Sequence, residues 1–209
     1  MRCSFRSIPA LVLGAAVALL AACSDNNGKK DGGIDAAGPS LSNGQVAQVL
    51  LSVNTAELTQ AQLALAQATL NDVRVYAQRM QDDHNAAQQR QQQLFQQLTI
   101  TPADSNINQM LVQQANNNTA RLRAAGQDGG TLPQDGGVVN DGGTNNPLFD
   151  RTYIDIQAGQ HDQVLTLIDS ALLPAVQTGP LRNELTATRQ TVQDHRDQAR
   201  TIRDRIGAP

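Results

Sequence analysis

The chain has 209 residues, with 16 Lys and Arg against 19 Asp and Glu and a formal net charge of −3. No basic patch is interleaved with aromatic residues, so nucleic acid is not an expected partner. The sparse Lys and Arg also argue against electrostatic binding to anionic lipid.

The chain opens like an export signal. Arg2 and Arg6 precede an apolar run from Ile8 to Leu20, too short to span a bilayer. The run closes on Leu20-Ala21-Ala22-Cys23, which resembles the lipobox of bacterial lipoproteins. That resemblance implies removal of residues 1–22 and acylation of Cys23, so that a lipid would tie the protein to a membrane. Ser24, in place of the aspartate that favours inner-membrane retention, points to the outer membrane. Loss of Arg2 and Arg6 leaves 14 basic against 19 acidic residues, a net charge of −5. With Cys3 removed and Cys23 acylated, the mature chain has neither a disulfide nor a free thiol, and packing must hold it together. Residues 23–41, polar and rich in Gly and Asp, read as a flexible tether. Residues 42–206 suit one domain.

The first helix is predicted from Ser42, where Ser42 and Gln45 have the spacing of a capping box. Its seam runs Val46, Leu50, Val53, Glu57, Ala61, Ala64, Ala68. A break at Asn71-Asp72 starts the second helix. Its seam is Val73, Ala77, Met80, His84, Ala87, Gln91, Leu94, Leu98, in steps of three and four that persist through a glutamine-rich run. Thr101-Pro102 ends it. A weaker helix over 104–125 follows, with Ile107, Met110, Leu111 and Leu122 as its apolar contacts.

Residues 126–146 hold three Asp-Gly-Gly units, at Asp128, Asp135 and Asp141. Their spacing matches no calcium-loop repeat, and the segment reads as a disordered polar insertion. Asn146-Pro147 then supplies an N-cap followed by proline at the first helical position. The third long helix carries Ile154, Gln157, His161, Val164, Ile168 and Ala171 on its seam and ends near Pro174. Gly179-Pro180 opens the fourth, with Leu181, Leu185, Thr188, Val192, His195, Ala199, Ile202 and Ile206. No segment alternates with period two. The fold class is all-α, a four-helix bundle with a long connection between its second and third helices.

Every histidine of the chain, His84, His161 and His195, falls on one of these seams, and the remaining seam carries Glu57, one of two glutamates. In antiparallel hairpins Glu57 and His84 sit level, about 18 Å from their turn, and His161 and His195 sit level, about 21 Å from theirs. All four therefore meet near mid-height. Neutral imidazoles suit Zn, Cu or Fe, with Glu57 as a fourth ligand or as a partner of the ligands. Asp83, Gln157 and Tyr153 stand nearby in sequence and are candidates to orient the imidazoles. The alternative is a set of structural core histidines whose nitrogens are hydrogen-bonded by Gln157, Gln160, Asp83 or Tyr153.

Three stretches carry a family resemblance: Ala77-x-x-Met80-x-x-Asp83-His84, Phe149-Asp150-x-x-Tyr153 with His161 eight residues on, and Thr191-Val192-x-x-His195-x-x-x-Ala199. Together they resemble a widespread exported bacterial family of unknown function, whose members are described as outer-membrane proteins and grouped with ferritin-like four-helix bundles. The resemblance spans about residues 44–206 and implies a ferritin-like bundle and an envelope address rather than an activity. The chain departs from the pattern in its insertion before Phe149 and in Arg189-Gln190, where the family has Leu-Pro.

Two functions follow as expectations. One is a lipid-anchored envelope protein binding a transition metal through its histidine layer. The other is a non-enzymatic scaffold lipoprotein, contacting envelope proteins or another copy of itself, with structural histidines. A ferritin-like di-iron oxidase fits poorly. It needs Glu-x-x-His on two helices, and the positions three before His84 and His195 are Gln81 and Val192. Hydrolysis lacks support too: the mature chain has no cysteine nucleophile and no serine in a G-x-S-x-G elbow.

Overall fold

The computed structural model describes residues 40–127, 146–176 and 179–207. The predicted signal, Cys23, residues 23–39 of the tether and residues 128–145 of the insertion lie outside these. Among the described residues the chain is helical, without strands. No helix there is long and apolar enough to cross a membrane.

Helix α1 (Asn43–Gln67) starts at the predicted capping box. Ser42 Oγ accepts from the Gln45 N–H at 3.2 Å, and the Ser42 N–H donates to Gln45 Oε1 at 3.0 Å. Two of the amides that a helix start leaves unpaired are thereby satisfied. Helix α2 (Asn71–Gln97) does not use Asn71 as its cap. The break lies at Ala68–Leu70, in extended backbone, and the tie comes from elsewhere in the chain. The Asp150 carboxylate accepts from the Thr69 N–H, the Leu70 N–H (3.0 Å) and the Thr69 hydroxyl (2.6 Å). Asp150 is thus a staple on the α1–α2 turn.

Helix α3 (Asn106–Gln127) is a full 22-residue element, not a marginal one. It runs through Gly126 and Gln127, two residues into the expected insertion. A Cβ on Gly126 would fall 1.7 Å from Gln67 Oε1, so α3 approaches α1 closely there. Met110, expected as a contact, is exposed. Helix α4 (Pro147–Leu167) begins as predicted, with Asn146 Oδ1 accepting from the Phe149 N–H at 3.1 Å and Pro147 at the first position. It passes into a π-helical stretch, Ile168–Leu172, and one last turn, α5 (Leu173–Ala175). The Arg182 guanidinium donates to the Leu173 and Val176 carbonyls at that end. Gly179, at φ 85°, turns the chain into α6 (Pro180–Ile206), in a conformation that favours glycine. Helix α6 is continuous through Arg189-Gln190, and Arg189 makes a two-pronged ion pair with Asp169 at 2.6 and 2.8 Å.

Helix α1 packs against α2, α4 against α6, α2 against α6 and α1 against α4, while α3 lies on α1 and α4. The apolar core falls into two clusters. Ala61 and Ala64 of α1, Val73 to Met80 of α2, Phe149 to Ala158 of α4, and Ala199 and Ile202 of α6 share one. Val46 to Leu50, Phe95, Val164 to Leu172, and Leu181 to Val192 share the other. Each of these four helices crosses from one cluster to the other, and most of their buried polar residues fall between the two: Asn54, Glu57 and Gln60, His84 and Gln91, Gln157 and His161, and His195.

This arrangement explains α3. Helix α2 ends in the second cluster, whereas α4 begins in the first, beside the α1–α2 turn. The connection must therefore cross the length of the molecule, and 22 helical residues span about 33 Å. Ile107 and Leu111 pack on the second cluster, and Leu122 and Ala125 join the first.

Candidate metal centre

Helical spacing puts one imidazole from each of α2, α4 and α6 into the polar layer, and all three are buried. Their ring centroids are 5.4 Å (His84–His195), 5.5 Å (His161–His195) and 6.3 Å (His84–His161) apart. One ring nitrogen of each lies within 4.8 Å of its counterparts.

Each ring has one nitrogen committed. His161 Nδ1 donates to the Gln157 backbone carbonyl at 2.7 Å. His195 Nε2 donates to Asp83 Oδ2 at 2.8 Å. His84 Nδ1 is 2.9 Å from Asn54 Oδ1, and the direction of that bond follows from a chain of amides. The Glu184 carboxylate can only accept, so Gln91 presents its NH2 to it (3.2 Å). Gln91 Oε1 then accepts from Asn54 Nδ2 (2.7 Å), which turns Asn54 Oδ1 toward the His84 N–H. All three rings therefore donate one N–H each to a protein acceptor. The opposite nitrogens, His84 Nε2, His161 Nε2 and His195 Nδ1, are buried with no hydrogen-bond partner among the described residues.

The protonation of His84 and His195 suits ligation. Burial, reinforced by the neighbouring imidazoles, holds His84 well below the ordinary histidine range. Burial also brings His195 down to about 4, against the opposing pull of Asp83. For Asp83, burial raises the carboxyl, but the His195 and Arg79 contacts outweigh it and leave it below its ordinary value. Neutral imidazoles keep their lone pairs for a metal.

Three nitrogens bonded to one zinc stand about 3.3–3.6 Å apart, so closing from the 4.8 Å limit takes ring movements of about 1 Å. The three buried histidines can hold a metal ion.

Glu57 is not a member of this cluster. It stands behind His161, with Oε1 4.0 Å from the Nδ1 already given to Gln157. Its oxygens accept from the Gln157 (2.9 Å) and Gln160 (2.8 Å) amides. Burial raises its carboxyl pKa, and His161 and those two amides pull it partly back. Of the residues expected to orient the rings, Asp83 does so through its carboxylate, and Gln157 does so through its backbone carbonyl. Tyr153 does not: its hydroxyl is buried without a partner, and its ring packs edge-on against Tyr76 at 6.0 Å.

Asn54, Gln60 and Glu184 escape the sequence reading. Asn54 lies on the true buried face of α1, three residues before Glu57 and four after Leu50. A search for apolar periodicity selects its neighbour Val53 instead. Gln91 is on the predicted seam, but its place in the relay depends on partners from α1 and α6.

Residues 32–129 match a family described as a domain of unknown function (DUF4142). The match takes in α1, α2 and α3, with Glu57, Asp83 and His84, but neither His161 nor His195. No curated protein and no solved structure matches the chain. The comparisons are in keeping with an uncharacterised family.

Proposed function

We propose that this protein binds a single transition metal through His84, His161 and His195, in a ferritin-like four-helix bundle of α1, α2, α4 and α6 with α3 as the long connection. We place it, on the signal and lipobox pattern alone, as an outer-membrane lipoprotein anchored through Cys23. Two observations carry the metal reading together: three buried imidazoles each give one nitrogen to the protein as a donor and keep the other without a partner among the described residues, and one ring nitrogen of each lies within 4.8 Å of the others. A structural histidine is expected to have both nitrogens satisfied. Leaving a buried polar atom unpaired costs about 1–3 kcal/mol, and three such losses at one place have no structural return. A bound cation supplies one. The outward partners, with carboxylates at the end of two of the chains, are of the kind that orient metal-ligating histidines. Zn, Cu and Fe all suit three neutral imidazoles.

Binding to the folded state raises stability by mass action. Metal-free wild type should melt higher on addition of Zn(II) or Cu(II), with chelator reversing the gain. His161→Gln should fold and lose the response. Equal melting of wild type with and without metal would leave the histidines a structural role, and the scaffold reading would then stand.

A further inference from the structure

We propose that Glu184 is a positioning residue of the metal centre: acting through Gln91 and Asn54, it decides which nitrogen of His84 carries the proton and so keeps Nε2 free to bind. The inference rests on the metal reading above and adds a control that lies outside the histidine cluster.

The three imidazoles differ in what fixes their protons. His161 faces the Gln157 backbone carbonyl and His195 faces the Asp83 carboxylate, groups that accept and do not donate. Those two rings need no further direction. His84 faces a side-chain amide, Asn54, at 2.9 Å. An amide can present either its oxygen or its NH2, and the two ends differ little in shape. With the oxygen turned toward it, His84 holds its proton on Nδ1 and leaves Nε2 bare. With the NH2 turned toward it, Nδ1 must accept, and the proton moves to Nε2, where it blocks ligation.

Asn54 does not settle the matter by itself, and neither does its neighbour. Gln91 is also an amide, 2.7 Å from Asn54, and could also turn over. Thr188 Oγ, 3.4 Å from the Gln91 NH2, belongs to a hydroxyl that can donate or accept, so it favours neither orientation. Glu184 can only accept. Turning Gln91 over would set its oxygen about 3.2 Å from the Glu184 carboxylate, acceptor against acceptor. Gln91 is fully buried and the Glu184 side chain is 13% exposed, so water has little access to relieve that contact. Arg90 Nη2 lies 3.5 Å from the same Glu184 oxygen and pairs with its charge. The relay thus runs from α6 to α2, on to α1 and back to α2, with its direction set at the Glu184 end.

The test reads the tautomer itself, by 1H–15N NMR of the imidazole nitrogens in chelator at about pH 8, above the ordinary histidine range. Wild type should hold the His84 proton on Nδ1. Glu184→Gln keeps an oxygen at this place, turned inward because Arg90 and Gln91 both donate to it, and should keep that form. Glu184→Leu removes the acceptor, and at least about half of the molecules should then carry the proton on Nε2. Only the fraction in the binding tautomer takes metal directly, so Zn(II) affinity, read by chelator competition, should fall by the reciprocal of that fraction, about twofold or more. Glu184→Gln should stay within about 1.5-fold of wild type. An equal loss in both variants would assign the effect to charge and overturn the relay. So would an unchanged His84 tautomer in Glu184→Leu or, should that variant not fold, in Gln91→Leu, which removes the middle of the relay. A wild-type spectrum with the His84 proton on Nε2 would overturn it with no variant at all. Wild type that binds no Zn(II) would overturn the metal reading instead, while the tautomer measurement, made without metal, still decides the relay.

Discussion

Acid should weaken the metal-free fold through His195, and the effect can be isolated. The ring is buried, with a folded-state pKa of about 4 against an ordinary 6.5. As pH falls through 6.5 the unfolded chain takes up a proton that the folded chain refuses. The contribution is thus fully present above 6.5 and is lost progressively as pH falls toward 4. Between about pH 7.5 and about pH 5.5 this one group removes about 1.3 kcal/mol of stability. For a domain of this size that is about 3–5 °C in melting temperature. His84, held low for the same reason, adds to the loss in the same direction. Glu57, raised by burial, works in the opposite direction but does so equally in both proteins compared. Asp83, held low, titrates below this window. Urea unfolding of wild type and His195→Gln in chelator at the two pH values reads the difference. Wild type should lose about 1.3 kcal/mol more than the variant on acidification. Equal losses, or an NMR titration placing His195 near 6.5, would refute the argument that burial outweighs Asp83.

Asp150→Ala should cost about 2–4 kcal/mol, because the Thr69 and Leu70 amides lose their acceptor at the α1–α2 turn; chemical denaturation measures it, and a cost under about 0.5 kcal/mol would deny the staple. Replacing residues 128–145 by a four-residue linker should leave unfolding cooperative and stability unchanged or about 1 kcal/mol higher. The ends are already held together, since Asn146 Nδ2 donates to the Ala125 carbonyl at 3.3 Å; Gly126 and Gln127 must be kept, because they belong to α3. Cys23→Ser should release the protein from the membrane fraction, and mass spectrometry that finds an unacylated mature N-terminus elsewhere would end the lipoprotein proposal.

The helices, their N-caps at Ser42 and Asn146, and the level of the histidine layer were legible in the sequence. These are local matters: a 3.6-residue period, a side chain three residues from the amide it caps, and equal arm lengths on either side of a tight turn. The metal-ligand candidates were legible for the same reason, because the three histidines lie on apolar seams that face inward. What only the tertiary structure decides are the pairings across helices. Asp150 of α4 holds a turn 81 residues away, α3 is fixed as the return path across the core, and Glu57 faces glutamines rather than the cluster. The bond from Asn54 to His84 belongs here too. A buried amide is nearly invisible to apolar periodicity, since its burial is favourable only when partners from other helices satisfy it. Which nitrogen of each imidazole is left bare is set by those partners and not by the histidine's own place in the chain.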